Sequence, residues 1–361
     1  NKLLDYNGVF DELIAEVDSA QQTCCLEILI WYHCGRADDV VASLLRASGR
    51  GVRCRLLVDA VGSKPFLNGK HVRALRAAGV AVVAALPPSL HRRADLRNHR
   101  KIVVIDDRLG YTGSQNLVDP RFFKLESGVG QWVDAVVRIE GPAITQLANI
   151  FEQDWSVETG AAFITPKLWP ADLQQNIAHG VLMQVVPSGP GPYPDAIRQL
   201  LLTAIYSARQ TLILTTPYFV PDEAILTALL SAATRGVQIT LIVPARNDSL
   251  LVRYASVAHF SDLLAAGVHI ALFQGWLLHT KSMVVDDRLS LFGSVNLDMR
   301  SFWLNFEISL FVYGADFAAP IIEMQQDYLA HSIMVDAEIW RRRSARHRFL
   351  ENLARLAGPL L

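Results

Sequence analysis

Cysteine is scarce and confined: of 361 residues only Cys24, Cys25, Cys34 and Cys54 carry a thiol. None forms a Cys-x-x-Cys pair, and no Cys/His cluster has the spacing of a zinc site, so the pattern encodes neither a redox motif nor a structural metal. The four read as reduced packing residues of a chain that folds on a reducing, cytoplasmic side. Charge of one sign is also lacking, since 34 basic residues balance 35 acidic ones and leave a net charge of −1. No global field therefore argues for nucleic acid. No apolar run reaches the roughly 20 residues of a membrane-crossing helix, and no signal peptide is seen. The first residue is Asn rather than Met, so an N-terminal membrane anchor preceding this sequence stays within the expectation.

What is present is a doubled pattern. Residues 98–116 read NHRKIVVIDDRLGYTGSQN, and residues 279–296 read HTKSMVVDDRLSLFGSVN. His99, Lys101, Asp106, Ser114 and Asn116 recur as His279, Lys281, Asp286, Ser294 and Asn296, each 180 positions later. The flanking segments repeat as well. LEILIWY (26–32), a helical stretch near 38–48, RGVRCRLLVD (50–59) and LRAAGVAVV (75–83) precede the first motif. TLILTTPYF (211–219), a helix near 222–234, RGVQITLIVP (235–244) and LLAAGVHIALF (263–273) precede the second. Strands alternating with amphipathic helices predict βα units, hence an α/β fold of two pseudo-symmetric lobes, each a mixed, mostly parallel sheet flanked by helices. Two such lobes imply one active-site cleft served by both motifs. The expected boundaries are 1–160 for the first lobe, 161–180 for a linker, 181–338 for the second lobe and 339–361 for a basic amphipathic C-terminal segment.

KIVVID and KSMVVD read as buried strands. Period-two alternation puts each His and the Lys two residues later on one face. The next strand ends in Gly-Ser-x-Asn, which offers close backbone approach, a hydroxyl and an amide. Two Lys, two Ser and two Asn without metal ligands make a cage for one tetrahedral oxyanion, for which phosphate is the best fit. One neutral imidazole can attack phosphorus while the other, protonated, serves the leaving oxygen, the roles reversing in a second step. The lysines and amides hold charge on the equatorial oxygens, so the scheme calls for no metal and no cofactor. Asp106 and Asp286 stay among the catalytic candidates, although their position at the far strand ends suits turn capping better.

With those residues set out, the chain resembles the phospholipase D superfamily through HxKxxxxD followed by GSxN, present twice. TGSQNLVDPRFF (112–123), GVGQWVDAVVRIEGP (128–142), TPYFVP (216–221), LLHTKSMVVDD (277–287) and GSVNLDMRSFWLNFE (293–307) resemble its bacterial cardiolipin synthase branch, and the likeness covers nearly the whole chain. The resemblance implies that two phosphatidylglycerol molecules give cardiolipin and glycerol through a phosphatidyl-histidine intermediate. It also implies His99 as nucleophile and His279 as acid, with Lys101, Asn116, Lys281 and Asn296 on the phosphate. Family members orient each His with a carboxylate; Glu307 is expected for His99 and Asp134 for His279. Asp119 with Arg121 and Asp298 with Arg300 are expected to brace the site as ion pairs.

A lipid substrate requires a membrane surface. WRRRSARHRFLENLARLAGPLL (340–361) sets Trp340, Phe349, Leu350, Leu353 and Leu356 among six arginines. Such a segment is drawn to anionic lipid, as is the basic patch at 91–97. The expected location is the cytoplasmic face of a bacterial inner membrane, reached peripherally or through an N-terminal anchor. No nucleic-acid partner and no required oligomer follow. A hydrolase releasing phosphatidic acid and a transferase using another alcohol share the same chemistry up to the second step. A nuclease on this scaffold ranks lower, because no aromatic-basic groove for stacking bases is evident.

Overall fold

A computed structural model describes residues 2–89, 93, 95–162, 180–191 and 193–344. The expected linker thus falls mostly outside the described residues, as do His91, Arg92 and Ala94 and the terminal segment from Ala345 onward. The chain forms two compact units. One is built from residues up to Lys124 together with Asp134–Pro187 and Phe306–Ile308. The other takes Leu125–Val133, Ser188–Asn305 and the residues after Ile308.

The first unit holds strands β1 (Lys2–Leu4), β2 (Thr23–Ile28), β3 (Arg53–Asp59), β4 (Ala81–Ala85), β5 (Ile102–Ile105), β6 (Leu109–Gly113) and β7 (Val136–Glu140). They lie in the order β1-β7-β6-β5-β2-β3-β4. β2, β3 and β4 pair in parallel because the helix Arg36–Gly49 and the helix Lys70–Ala77 carry the chain back between them. Every residue of β2 and of β5 is buried, as expected for strands covered on both faces. Tyr111, facing the side of the sheet covered by the helix Tyr6–Ser19, joins a core of Phe10, Leu13, Leu26, Leu44 and Val103. Its neighbour Gly110 faces the opposite side. A Cβ there would lie 2.8 Å from Leu147 of the helix Ala143–Thr159, so glycine lets that helix close on the sheet.

The second unit repeats the plan with β8 (Thr211–Thr215), β9 (Gln238–Pro244), β10 (His269–Phe273), β11 (Ser282–Val285), β12 (Leu289–Gly293), β13 (Asn305–Tyr313, apart from Phe306–Ile308, which belong to the first unit) and β14 (Ser332–Met334). The order is β13-β12-β11-β8-β9-β10-β14. Only β8–β9 and β9–β10 are parallel among these pairs. The mixed sheet flanked by helices is therefore found, but its parallel share is smaller than the sequence reading had it. In each unit the motif folds as a hairpin, β5–β6 or β11–β12, and a short turn can join only antiparallel strands.

The hairpin turns explain why Asp-Asp-Arg-Leu recurs. Asp106 and Asp107 adopt φ of 53° and 49°, and Asp286 and Asp287 adopt 49° and 54°. Asp tolerates this left-handed region better than most residues. All four cysteines are unbridged; Cys24, Cys25 and Cys54 are buried and Cys34 is partly exposed.

Candidate active site

In the first unit β5 begins immediately after the His-Arg-Lys triplet. His99 is buried, and its backbone N–H donates to the Phe306 carbonyl (2.8 Å). That bond brings the neighbouring residue close, and Glu307 Oε2 lies 2.7 Å from His99 Nδ1. Glu307 is completely buried, so its carboxylate meets the imidazole in a region that water does not reach. A carboxylate on Nδ1 fixes the proton there and leaves Nε2 with a lone pair in the neutral ring.

Lys101 is 3% exposed, and its Nζ donates to the His99 carbonyl (2.7 Å). Burial lowers its pKa to about 8, against the opposing pull of the Glu307, Asp134 and Asp59 carboxylates. The ammonium is held among carboxylates and a carbonyl, where a phosphate oxygen would be a strong additional partner.

β6 ends at Gly113, and the next residues turn inward. Ser114 Oγ donates to Asp134 Oδ1 (2.6 Å) and accepts from the Ala135 N–H (3.1 Å). Asn116 Oδ1 accepts from the Ile30 N–H (3.1 Å), which fixes the amide. Its Nδ2 is buried without a protein partner among the described residues. A donor left in that state calls for an acceptor. Lys101, Gly113, Gln115 and Asn116 line a small cavity of about 30 Å³ together with apolar core residues such as Val9, Leu13 and Ile28.

The second unit places its set in the same local frame with different neighbours. The His279 N–H donates to the Val133 carbonyl (2.8 Å), and the His279 ring lies 4.3 Å from the Trp132 ring. Lys281 Nζ donates to the His279 carbonyl (2.5 Å), as Lys101 does to His99. Ser294 is fully buried. Asn296 Nδ2 donates to Ser301 Oγ (3.2 Å), and its Oδ1 is buried without a partner among the described residues.

Asp106 and Asp286 are not brought to the His–Lys ends of their strands. Asp106 accepts from the N–H groups of Gln21, Gln22 and Thr23 at 2.9, 2.8 and 2.8 Å. Asp286 accepts from those of Arg209, Gln210 and Thr211 at 2.9, 2.7 and 2.9 Å. Burial works against ionisation of each carboxyl, but three amide donors outweigh it and hold both below the usual carboxylate range. Both tie the entry of the first parallel strand to the motif hairpin, a structural task.

Asp119 and Arg121 pair at 2.6 Å. Asp298 caps the helix Met299–Trp303, accepting from the Ser301 N–H (2.7 Å). The sequence reading passed over Glu27, Asn98, Arg100 and Asp154, which lie beneath His99. Asn98 Nδ2 donates to Glu27 Oε1 (2.7 Å), and Arg100 Nε donates to the Glu307 carbonyl (3.0 Å). The one available signal was a Glu inside the apolar run LEILI, where a lone carboxylate would be costly. Trp340, placed among the lipid-facing residues by the sequence, is half-buried; its ring is tilted 39° to that of Phe260 at 5.4 Å, and the Arg343 guanidinium lies 3.7 Å from its centroid.

Comparison with known proteins follows the same division. A family profile described as "Cardiolipin synthase, PLD-like domain" matches residues 13–155 and 201–328. Cardiolipin synthase A of Yersinia pseudotuberculosis serotype O:3 (strain YPIII) is 47% identical over 358 residues, covering 97% of this chain and 73% of that protein. Cardiolipin synthase A of Yersinia pestis gives the same figures, 47% over 358 residues. Among solved structures, phosphatidylserine synthase of Haemophilus influenzae Rd KW20 is similar with a TM-score of 0.74 at 14% identity, covering 100% of this chain and 95% of that one. Polyphosphate kinase of Porphyromonas gingivalis is similar with a TM-score of 0.63 at 14% identity, over 98% of this chain and 53% of that one. At such identities the two structures speak to the fold alone.

Proposed function

The chain belongs to the cardiolipin synthase family of phospholipase D-like proteins, and on that premise we propose that it is a phosphatidyltransferase making cardiolipin and glycerol from two molecules of phosphatidylglycerol. In the first step His99 Nε2 attacks the phosphorus of one phosphatidylglycerol. The bond from phosphorus to the glycerol headgroup oxygen breaks, and His279 gives that oxygen a proton. A phosphatidyl group is left on His99 and glycerol departs. In the second step the terminal hydroxyl of another phosphatidylglycerol attacks the same phosphorus. His279 takes its proton, the bond to His99 breaks, and cardiolipin is released.

The observation that carries the assignment of His99 is Glu307 Oε2 at 2.7 Å from Nδ1. That contact keeps Nε2 nucleophilic and stabilises the ring once it is phosphorylated. The same service to His279 is assigned to Asp134. Lys101, Lys281, Ser114, Asn116, Ser294 and Asn296 are assigned to the phosphate; the unpartnered Asn116 Nδ2 supports the role of its amide.

The substrate is an anionic lipid, so the reading includes work at the surface of a bacterial membrane. No helix among the described residues is long and apolar enough to cross a membrane. The arginines from Arg341 onward are assigned to attraction toward anionic headgroups.

The test is product analysis with phosphatidylglycerol vesicles in the presence of a chelator. Cardiolipin and glycerol in equal amounts, both lost in His99→Ala and in His279→Ala, are the expected result. Phosphatidic acid with glycerol would overturn the transferase reading in favour of a hydrolase.

A further inference from the structure

The two repeats agree in their motifs and differ in what lies beneath them. Asn98 and Arg100, which flank His99, correspond to Leu278 and Thr280, which flank His279. The contacts of Thr280 and Ser282 in the second repeat are neutral. Thr280 Oγ1 lies 3.0 Å from the Tyr328 hydroxyl, and Gln325 Nε2 donates to Ser282 Oγ (3.0 Å). Under His99 they are ionic and amide in kind, and they converge on residues 306 and 307.

Arg100 makes two attachments there and a third to Asp154. Its Nε donates to the Glu307 carbonyl (3.0 Å), its guanidinium lies 5.5 Å from the Phe306 ring centroid, and its Nη1 pairs with Asp154. The His99 N–H holds the Phe306 carbonyl from the adjacent position (2.8 Å). Consecutive residues 99 and 100 thus grip consecutive residues 306 and 307 by the main chain, and the Glu307 side chain is delivered to Nδ1.

The grip is braced from below. Asn98 Oδ1 accepts from the Arg100 N–H (3.2 Å), while Asn98 Nδ2 donates to Glu27 Oε1 (2.7 Å). The Asn98 N–H donates to Asp59 Oδ2 (2.9 Å). Glu27 is fully buried; desolvation, with the negative charge of Asp154 beside it, keeps its carboxyl protonated well above the ordinary range. A neutral acid in this place adds hydrogen bonds without adding a second buried charge.

We propose that Arg100, braced by Asp154 and by the Glu27–Asn98 bond, is the positioning residue that holds Glu307 onto His99. It touches neither substrate nor phosphorus and acts through the carboxylate. The inference rests on the reading that the His99–Glu307 pair carries phosphatidyl transfer. A long cationic side chain stands here where the second repeat has Thr280.

The experiment is a double-mutant cycle on the full chain with phosphatidylglycerol vesicles, comparing Arg100→Met, Glu307→Gln and the double variant in kcat and KM. Arg100→Met is expected to lower kcat by about 30-fold with KM within about twofold, since displacing a catalytic group by about 1 Å can cost up to about 100-fold. In the double variant the loss should be no greater than in Glu307→Gln alone, because Arg100 would have nothing left to position. If Arg100→Met unfolds, Arg100→Lys carries the same cycle, since it keeps the charge beside Asp154 and loses the planar donor. Multiplying losses would overturn the proposal, as would an unchanged kcat. Phosphatidic acid as the wild-type product would sink the synthase reading while leaving the cycle interpretable for Arg100.

Discussion

Glu307 and His99 are 208 residues apart in sequence and 2.7 Å apart in the fold. Their meeting is arranged by the backbone. The His99 N–H takes the Phe306 carbonyl, and the next side chain arrives at Nδ1. An imidazole gripped in this way has one tautomer and one orientation, which is what an attack on phosphorus requires.

Replacing that carboxylate by an amide gives the first prediction. Glu307→Gln keeps size and burial but removes the charge that stabilises the phosphorylated ring. Turnover should fall by about 100-fold or more, in the range typical of a misplaced general acid–base partner. The thermal midpoint should move by no more than a few degrees. Turnover within a few-fold of wild type would show that Glu307 has no part in the chemistry.

Lys101 gives a second prediction through its pKa of about 8. Below that pH the amine is charged in both the folded and unfolded chain. Between about 8 and its ordinary value of 10.5 the unfolded chain keeps a proton that the folded chain has lost. Stability due to this group therefore rises with pH across that window. Anion binding runs the other way, because the neutral amine no longer attracts phosphate. Inhibition by inorganic phosphate should weaken roughly tenfold per pH unit above about 8. An inhibition constant that stays flat over that range would mean that Lys101 keeps its charge or does not meet phosphate.

The twin hairpin aspartates give a third. Each carboxylate accepts three backbone N–H groups and sits at positive φ. Asp106→Ala should destabilise the protein by about 2–4 kcal/mol, the scale for losing charged hydrogen bonds to otherwise unpaired amides. Because the native carboxyl titrates below its ordinary value, the stability that it supplies is present above that value and lost as the pH falls through the native one. Urea unfolding measures the loss. Turnover per folded molecule, taken well below the melting temperature, should be unchanged; a deficit of tenfold or more would return Asp106 to the catalytic set.

How far these roles could be read in advance depends on whether a role leaves a periodic trace. His, Lys, Ser and Asn recur at fixed spacings on a strand–turn–strand frame, so the doubled pattern exposes both the frame and its polar ends. Asp106 and Asp286 recur as faithfully, yet repetition alone gives no way to tell a catalytic carboxylate from a turn residue; positive φ and three amide donors do. Glu307 stands out as a carboxylate in an apolar strand, although its contact with His99 does not follow from spacing alone. Arg100 leaves no such trace, and Glu27 only that of a carboxylate in an apolar run. Glu27 meets Asn98 across 71 residues and Arg100 meets the Glu307 carbonyl across 207, and neither position is repeated in the other half. The parallel share of the sheet was overread for a related reason. Alternating helices and strands announce βα units, whereas the two motif strands are joined by a turn too short for a parallel crossover.

The two histidines lead to the last prediction, which separates their roles. His99 has a buried carboxylate on Nδ1 and His279 has the Trp132 ring beside it at 4.3 Å. If His99 is the nucleophile and His279 the proton donor and acceptor, removing His279 should slow both steps. It should not prevent a covalent adduct from forming at His99. Incubating His279→Ala with phosphatidylglycerol labelled in the phosphate and quenching in base should therefore leave label on the protein as an acid-labile phosphoramidate. Peptide mapping should place it on the segment that contains His99. His99→Ala should retain no label under the same conditions, since the remaining imidazole has only a proton to offer. Label recovered on His279 in the His99→Ala protein, and absent from His279→Ala, would exchange the two roles. The Glu307 contact would then be the device that tunes an acid rather than a nucleophile, and Glu307→Gln should in that case impair departure of glycerol more than attack on phosphorus.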